Sequence, residues 1–517
     1  MIKSNKNKQL VINMAANLLS TAVGFCISFF LTPFIIERVG VEANGFVSMA
    51  GNFTSYASIA TAALNSMAGR FITISIHQEN YDETNKYMSS VFAANLFSAI
   101  VLVVPAALLV INMNNWFNIS NAIVSDVKIL WTFLFFNFLY GNVVSVFGVA
   151  TFSQNRLDIQ SGTGITLSIV RAAILVVAYL FFDTKVWYMG ATTLFCTILS
   201  SAVNLYCTKK FLPFAKISRK YFDFEKIKGL LSAGVWNSVS SLSSMLSEGL
   251  DLVVANLFIG DTAMGLISLA KHMPSYILSF TGGLSSIFAP QLTINYAKNN
   301  MDEMEKDLIS SIKILGFITC IPLSIMYAYG DVFFGLWAPT QDARLLQNIA
   351  IVASLEFPLV LPLEPLWNIF TTTNKVKQSS LYLVINSMAT IIIEFILLHF
   401  ATTEYQKIMI IVGVSTAFSI VRALTFLPLY GAKCLNFKKT IFYSPMFKNL
   451  FAVIVLTVIS LFIKKIFSVD SWFKLIVAAC MTAALSFAIN YFTLLSKHER
   501  DILKSKVFRK KAVENDP

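Results

Sequence analysis

The chain has 517 residues, of which 56% are hydrophobic and 13% are charged, and its formal net charge is +12. Soluble domains carry about 25% charged residues, so this composition excludes a soluble globular protein and predicts a chain that crosses the membrane repeatedly. Hydrophobic runs of 20 or more residues recur along it, and each is long enough to cross roughly 30 Å of hydrocarbon. Strands of a membrane barrel need only about ten alternating residues, so we predict helices.

We predict an all-α polytopic membrane protein with about fourteen transmembrane helices. The first hydrophobic run lacks a small-residue cleavage site at its end, so we expect it to stay in the protein as a helix. The predicted spans are residues 10–36, 45–75, 89–113, 125–152, 161–182, 187–208, 229–257, 265–296, 309–329, 346–370, 379–402, 407–430, 448–466 and 472–495.

The distribution of basic residues predicts the orientation. If the N-terminus is cytoplasmic, the inner segments hold 26 Lys and Arg residues and the outer loops hold 3. This asymmetry follows the positive-inside rule and predicts that both termini lie in the cytoplasm. It also accounts for the net charge, so no nucleic-acid partner is needed to explain it. The outer loops are short, and the longest is 330–345.

The chain contains an internal repeat. Residues 10–66 align without gaps on residues 230–286, and 13 of these 57 positions are identical. The densest matching positions are Gly40, Gly45, Ser48 and Ala50, which fall on Gly260, Gly265, Ser268 and Ala270. An apolar chain whose second half repeats its first half is typical of transporters.

The repeat predicts four parts of the chain. Residues 1–208 form a first lobe of six helices, and residues 229–430 form a second. Because both lobes start on the cytoplasmic side, they are parallel, and their axis is expected along the membrane normal. Residues 209–228 join them, and apolar residues recurring every three or four positions among seven Lys and Arg predict an amphipathic helix in the membrane interface. A solvated basic loop is the alternative. Residues 431–517 add helices 13 and 14 and a basic tail.

Several short motifs, together with this architecture, make the chain similar to a known superfamily. They are Asn17, Arg38-Val39-Gly40, Ala68-Gly69-Arg70, Gln154-Asn155-Arg156 and Gly234-Val235-Trp236-Asn237. The chain resembles the bacterial polysaccharide (O-antigen-type) flippases of the multidrug/oligosaccharidyl-lipid/polysaccharide exporter superfamily. This resemblance implies alternating-access transport of an undecaprenyl-pyrophosphate-linked oligosaccharide from the inner to the outer leaflet of the bacterial plasma membrane. The implied partners are this lipid, the membrane lipids and other polysaccharide-assembly membrane proteins.

Basic residues inside the spans are the candidates for binding a pyrophosphate, because Arg suits bidentate phosphate contacts. They are Arg171 in span 5, Arg422 in span 12, Arg70 near the inner end of span 2, and Lys271 in span 8. Each has a structural alternative, either an ion pair that holds helices together or a side chain that reaches the interface. Related flippases often place a cation in the first helix, but residues 10–36 contain none.

Acidic residues inside the spans are the candidates for ion coupling. Glu248 and Asp251 share one face of span 7 because they are three residues apart. Asp251 lies ten residues before the turn at Asp261 and Lys271 lies ten after it, so an antiparallel hairpin would place them at one depth. The group is expected to bind a coupling cation, H⁺ or Na⁺, or to form a static ion pair.

Span 10 contains Glu356 and Glu364 together with Pro358, Pro362 and Pro365. Each proline removes a helix hydrogen bond, so the span is predicted to be a broken helix that serves as a hinge and ion site. A kink that only fits the packing is the alternative.

Two further readings of function remain open besides an oligosaccharide flippase. A cation-coupled multidrug exporter of the same superfamily is one, and a lipid II flippase is the other. A membrane glycosyltransferase or polymerase is a remote alternative from another class, because the outer loops are short and no nucleophile–base pair is evident in the sequence. We therefore expect a transporter and no enzyme. The four scattered histidines and six cysteines predict no metal site, no disulfide framework and no cofactor.

Overall fold

The computed structural model describes residues 2–248, 250–285, 288, 292–293, 295–296, 298–373 and 375–493. The described backbone is almost entirely helical, which confirms the predicted all-α class. Its α-helices are α1 (Ile2–Val39), α2 (Val41–His77), α3 (Tyr81–Ile111), α4 (Met113–Trp116), α5 (Val124–Val144), α6 (Val149–Ser153), α7 (Leu157–Phe181), α8 (Tyr188–Phe211), α9 (Phe224–Glu248), α10 (Leu250–Phe258), α11 (Asp261–Ala270), α12 (His272–Ser285), α13 (Met301–Trp337), α14 (Ala343–Ser354), α15 (Phe357–Val360), α16 (Pro365–Thr372), α17 (Val376–Phe400), α18 (Glu404–Leu424), α19 (Phe426–Leu435), α20 (Tyr443–Ile466) and α21 (Trp472–Thr493).

Twelve stretches of helix in the described part of the chain are long and apolar enough to cross a membrane. They coincide with twelve of the predicted spans, and the chain is a multi-pass membrane protein. The other two predicted spans are not among these twelve. Span 7 contains most of α9, which carries seven serines, together with α10, and residue 249 between these helices lies outside the described residues. Span 8 divides at Lys271, between α11 and α12.

The tenth predicted span is built from short helical pieces. Helix α14 is followed by α15, a 3₁₀ turn (Leu361–Leu363) and α16. Pro358, Pro362 and Pro365 each occupy one of the first two positions of a piece, where the missing N–H costs no helix hydrogen bond. The role of this segment as a hinge stays a prediction.

The chain divides into two compact units. The first unit comprises residues 1–269 and 380–388, and the second comprises residues 270–379 and 389–517. In the first unit, α2 packs against α9, α1 against α7, and α5 against both α3 and α8. In the second unit, α13 packs against α20, and α14 packs against α18. Helices α9 to α11 therefore pack with the first six predicted spans, although they belong to the second sequence repeat.

The linker helix predicted over residues 209–228 is wrong. Helix α8 ends at Phe211, Pro213 follows, and an irregular segment with one 3₁₀ turn (Arg219–Tyr221) leads to α9. Proline cannot continue a helix. Side chains of α3 then bind the linker backbone, because the N–H groups of Lys216, Ser218 and Asp223 donate to Asn85 (2.7 Å), Ser89 (3.2 Å) and Ser90 (2.9 Å), respectively.

Candidate functional site

A cavity of about 420 Å³ lies in the first unit, and Arg171 lines it. Arg171 is halfway along α7, and the other walls come from α5 and α8. Small and hydroxyl-bearing side chains dominate the lining. The lining residues are Gly141, Val144, Ser145, Gly164, Leu167, Ser168, Arg171, Thr193, Cys196, Thr197, Ser200, Ser201 and Asn204.

Arg171 has no counter-ion in this cavity. Its Nε is buried and has no hydrogen-bond partner among the described residues, and no carboxylate is among the described lining residues. Burying a charge without a partner costs several kcal/mol. A positive charge in a cavity lined by hydroxyl groups is therefore an arrangement that can bind an anion, since Arg and hydroxyl groups both donate to anionic oxygens.

A second cavity, of about 360 Å³, adjoins the first and shares Gly141 and Thr197 with it. The amide side chains of Asn65, Asn137 and Asn142 form much of its polar wall. Asn65 donates to Asn142 Oδ1 (3.0 Å), and Asn95 donates to Asn65 Oδ1 (3.0 Å). These amides were not predicted from the sequence, because a neutral side chain inside a span does not stand out as an ionisable one does. Asparagines within hydrophobic runs, at positions 65, 95, 137 and 142, were the available signal.

A third feature is the contact between the starts of α2 and α11. Thr262 donates to Glu42 (3.1 Å), and Ser268 donates to Ser48 (2.7 Å). Between these bonds the backbones approach closely. A Cβ on Gly45 would lie 3.0 Å from the Cα of Gly265, and a Cβ on Gly265 would lie 2.6 Å from the carbonyl oxygen of Val41. Only glycine permits this approach.

Three further hydrogen bonds hold α10 against the loop before α5. The backbone N–H of Asn118 donates to Asn256 Oδ1 (2.9 Å), and the side-chain amide of Asn118 donates to the backbone carbonyl of Asn256 (2.8 Å). Asn256 Nδ2 returns a bond to the Asn118 carbonyl (2.9 Å). The N–H of Ser120 also donates to Asp261 (3.0 Å). This loop and α2 together hold the α10–α11 hairpin in the first unit.

The Asn155-Arg156 motif forms a turn that binds α1. Asn155 adopts a left-handed conformation with φ 54°, and Asn13 donates to both its carbonyl and its Oδ1 (2.9 Å each). Arg156 binds Asp158 (2.9 Å), and this hydrogen bond raises the pKa of the Arg156 guanidinium above its ordinary value. The motif therefore positions helices, and its residues line neither cavity.

The other candidate cations lie apart from the two cavities. Lys271 is half-buried at the junction of α11 and α12, in the second unit. Arg422 is half-buried in the last turn of α18, and Arg70 is exposed on α2. Of the four predicted cations, Arg171 alone lines either cavity.

The candidate acidic residues do not form one cluster. Asp251 is buried in α10 of the first unit, with 4% of its surface exposed. The side chain of Glu248 lies outside the described residues, and Glu356 and Glu364 are half-buried in the second unit. The predicted pairing of Asp251 with Lys271 stays a prediction, because the two residues belong to different units.

Comparison with known proteins gives a family and a relative of similar length. The sequence profile of a family described as polysaccharide biosynthesis protein matches residues 10–288. The chain is also 26% identical over 502 residues to EpsK of Bacillus subtilis (strain 168), described as an uncharacterized membrane protein. That alignment covers 97% of this chain and 98% of EpsK.

Two kinds of solved structure share the fold. Lipid II flippase MurJ, in an inward closed conformation, matches with a TM-score of 0.63 at 15% identity, over 97% of this chain and 100% of MurJ. An inward-facing multidrug resistance MATE family transporter of the MOP superfamily matches with a TM-score of 0.60 at 15% identity, over 80% of this chain and 98% of the transporter. These likenesses show a shared fold, and the family profile confirms the predicted resemblance to polysaccharide biosynthesis proteins.

Proposed function

Because this chain belongs to the polysaccharide biosynthesis protein family, we propose that it moves an undecaprenyl-pyrophosphate-linked oligosaccharide across the bacterial plasma membrane. The direction is from the cytoplasmic to the outer leaflet, for cell-surface polysaccharide assembly. Both termini lie in the cytoplasm, as the 26 inner and 3 outer basic residues indicate. The chain acts as a transporter and catalyses no covalent step, so it needs no cofactor.

The observation that supports this proposal most directly is the unpaired Arg171. A pyrophosphate carries at least two negative charges, and a guanidinium can bind two of its oxygens at once. The cavity at Arg171 holds about 420 Å³ and surrounds the cation with hydroxyl groups. The lipid headgroup enters this cavity, and its phosphates neutralise the buried charge. The polyprenyl tail remains in the bilayer, since hydrocarbon gains nothing by leaving it.

Transport requires the protein to open alternately to each side. In the proposed orientation, the turns at Gly40 and Gly260 face outward, so the α2–α11 contact lies toward the outer side. Its close backbone approach at Gly45 and Gly265 closes the space between these helices. We infer that the contact separates when the cavity opens outward, and that the broken segment from Pro358 to Pro365 absorbs part of the movement.

The energy for repeated transport comes from an ion gradient or from the membrane potential. Glu248, Asp251, Glu356 and Glu364 are the candidate sites for H⁺ or Na⁺, because intramembrane carboxylates are expensive and are retained for function. Lys271 and Arg422 remain candidates for guiding the headgroup before or after it occupies the cavity, whereas the exposed Arg70 is assigned the structural alternative, a side chain that reaches the membrane interface.

A liposome assay tests the function directly. The purified protein is reconstituted with a fluorescent undecaprenyl-pyrophosphate oligosaccharide, and the appearance of the label at the far leaflet is followed over time. Parallel liposomes contain lipid II or a fluorescent cationic dye. Faster movement of the oligosaccharide lipid than in protein-free liposomes supports the proposal. Movement of the dye without the glycolipid would establish a multidrug exporter instead, and exclusive movement of lipid II would establish a lipid II flippase.

A further inference from the structure

The second cavity has an unusual supply of hydrogen-bonding groups, and it lies directly beside the Arg171 cavity. We propose that it binds a sugar of the lipid-linked substrate, the one next to the phosphates held at Arg171. This inference rests on the proposed function and adds a binding site for the carbohydrate. The cavity is lined by Ser58, Thr61, Ala62, Asn65, Asn137, Phe138, Gly141, Asn142 and Thr197.

The hydroxyl groups of this cavity are available mainly as acceptors. Ser58 donates to the carbonyl of Ser55 (2.7 Å), and Thr61 donates to the carbonyl of Ser58 (3.1 Å). Thr197 likewise donates to the carbonyl of Thr193 (3.1 Å). Each hydroxyl proton is thus used within its own helix, while each oxygen keeps lone pairs that can accept from a ligand.

The amide groups add one donor and further acceptors. Asn137 Oδ1 and Asn142 Nδ2 are buried and have no hydrogen-bond partner among the described residues. Asn95, which is fully buried behind Asn65, has an unpartnered Oδ1 as well. Buried polar atoms without partners are costly and uncommon in native proteins. A ligand that both donates and accepts hydrogen bonds would satisfy those that face the cavity.

The charges around the cavity select among such ligands. The described lining contains no carboxylate, and the positive charge of Arg171 stands in the adjoining cavity. A cation would therefore be repelled without compensation. A neutral ligand with several hydroxyl groups fits the lining, and a sugar ring has this chemistry. Phe138 supplies an apolar surface for the C–H face of the ring.

The junction between the cavities explains how one ligand can occupy both. Gly141 and Thr197 belong to both linings. A Cβ on Gly141 would lie 3.9 Å from Thr197 Cγ2, which is ordinary contact, so alanine fits here. A larger side chain would fill the space between the cavities. The glycine thus keeps the connection open between a phosphate at Arg171 and a sugar at the amides.

Binding of two lipids to the purified full chain tests this proposal. Detergent-solubilised protein is titrated with undecaprenyl-pyrophosphate oligosaccharide and with sugarless undecaprenyl pyrophosphate. Asn137→Leu and Asn142→Leu are expected to weaken binding of the glycosylated lipid about tenfold and to leave binding of the sugarless lipid unchanged. Gly141→Leu, which fills the junction, should also weaken binding of the glycosylated lipid, and Gly51→Ala, outside both linings, should bind both lipids like the wild type.

The outcomes separate this proposal from the proposed function. Equal weakening of both lipids by all three leucine variants, or no weakening of either, would overturn the sugar site while the phosphate site stands. Equal affinity of the wild type for the two lipids would also overturn it. Failure of the wild type to bind either lipid would overturn the proposed function, and the sugar site with it.

Discussion

Ser268 donates a hydrogen bond of 2.7 Å to Ser48, and the two serines occupy equivalent positions of the internal repeat, 220 residues apart. The same is true of Thr262 with Glu42 and of the facing glycines Gly265 and Gly45. In a two-fold arrangement, residues contact their own symmetry mates where the axis passes between them. Equivalent positions of the two repeats therefore meet each other at the α2–α11 contact.

A disulfide across this contact should stop transport. The variant Ser48→Cys, Ser268→Cys brings two thiols together where two hydroxyls are now bonded, and a disulfide needs Cβ atoms about 3.5–4.5 Å apart. The exposed native cysteines, Cys26 and Cys480, are replaced by serine beforehand. Oxidation is expected to reduce transport more than tenfold, and a reductant should restore it. Full activity of the cross-linked protein would show that this contact does not need to open.

Gly265→Ala should destabilise the protein, whereas Gly51→Ala should not. A Cβ on Gly265 would lie 2.6 Å from a backbone oxygen of α2, while nothing lies within 4 Å of a Cβ on Gly51. Overpacking of this kind costs about 1–3 kcal/mol. The thermal unfolding midpoint in detergent is expected to fall for Gly265→Ala and to stay within error for Gly51→Ala. Equal midpoints for the two variants would contradict the close approach.

The sequence predicted the repeat but not the contact between its copies. Aligning the sequence on itself pairs Gly45 with Gly265, so the two glycines occupy equivalent positions of the repeat. Whether equivalent residues face each other depends on how the helices pack, and α11 packs in the first unit through contacts with residues far away in sequence. The same reason explains why the division of span 8 at Lys271 was not predicted, because the hydrophobic run does not show where α11 ends.

Asn256→Ala should loosen the α10–α11 hairpin. The substitution removes the Asn256 side chain and leaves the N–H and carbonyl of Asn118 without two of their bonds. Asn256 is buried and Asn118 is exposed, so loss of these bonds costs about 1 kcal/mol each. Faster amide hydrogen exchange is expected in residues 117–120 and 250–262. Asn114→Ala, on the exposed side of α4, serves as the control, and an equal change in both variants would argue against this role.

Asn85→Ala should expose the linker to protease. The Asn85 side chain accepts from the Lys216 N–H at 2.7 Å, and the neighbouring basic residues are trypsin sites. Loss of one such bond, about 1 kcal/mol, should increase the rate of cleavage between residues 209 and 228 roughly fivefold. Ser98→Ala, which removes a bond within the same helix, should leave the rate unchanged.

A more alkaline pH should have the same effect on the linker. Lys226 forms an ion pair with Glu83 of α3, and this hydrogen bond raises the pKa of Lys226 above its ordinary value. A raised pKa means that the pair stabilises the fold while Lys226 is protonated and loses this effect as the pH rises through the folded pKa. Protection at the start of α9, the exchange rate relative to the intrinsic rate at the same pH, should therefore fall only in the alkaline range, and Lys226→Met should abolish that fall.

The candidate site was predicted in part. Arg171 was recognisable because a charge in the middle of a hydrophobic span is costly, and it is the predicted cation that lines a cavity. The amides of Asn137 and Asn142 were not predicted, because a neutral side chain costs less free energy inside a membrane span than a charged one and does not stand out in the sequence. The linker was predicted to be a helix from the spacing of its apolar residues. Pro213 cannot continue a helix, and the α3 side chains that bind the linker backbone cannot be recognised from the sequence.

The most direct test of the account compares Arg171→Ala with Arg70→Ala in the liposome assay. Both substitutions remove one arginine from the same unit, but only Arg171 lines the cavity, and Arg70 is exposed. A charge-assisted hydrogen bond contributes about 1.5–3 kcal/mol, so Arg171→Ala should slow movement of undecaprenyl-pyrophosphate oligosaccharide by roughly ten- to hundredfold. Arg70→Ala should keep the wild-type rate, and Arg171→Lys should be intermediate. Wild-type transport by Arg171→Ala would contradict the claim that this arginine binds the phosphates.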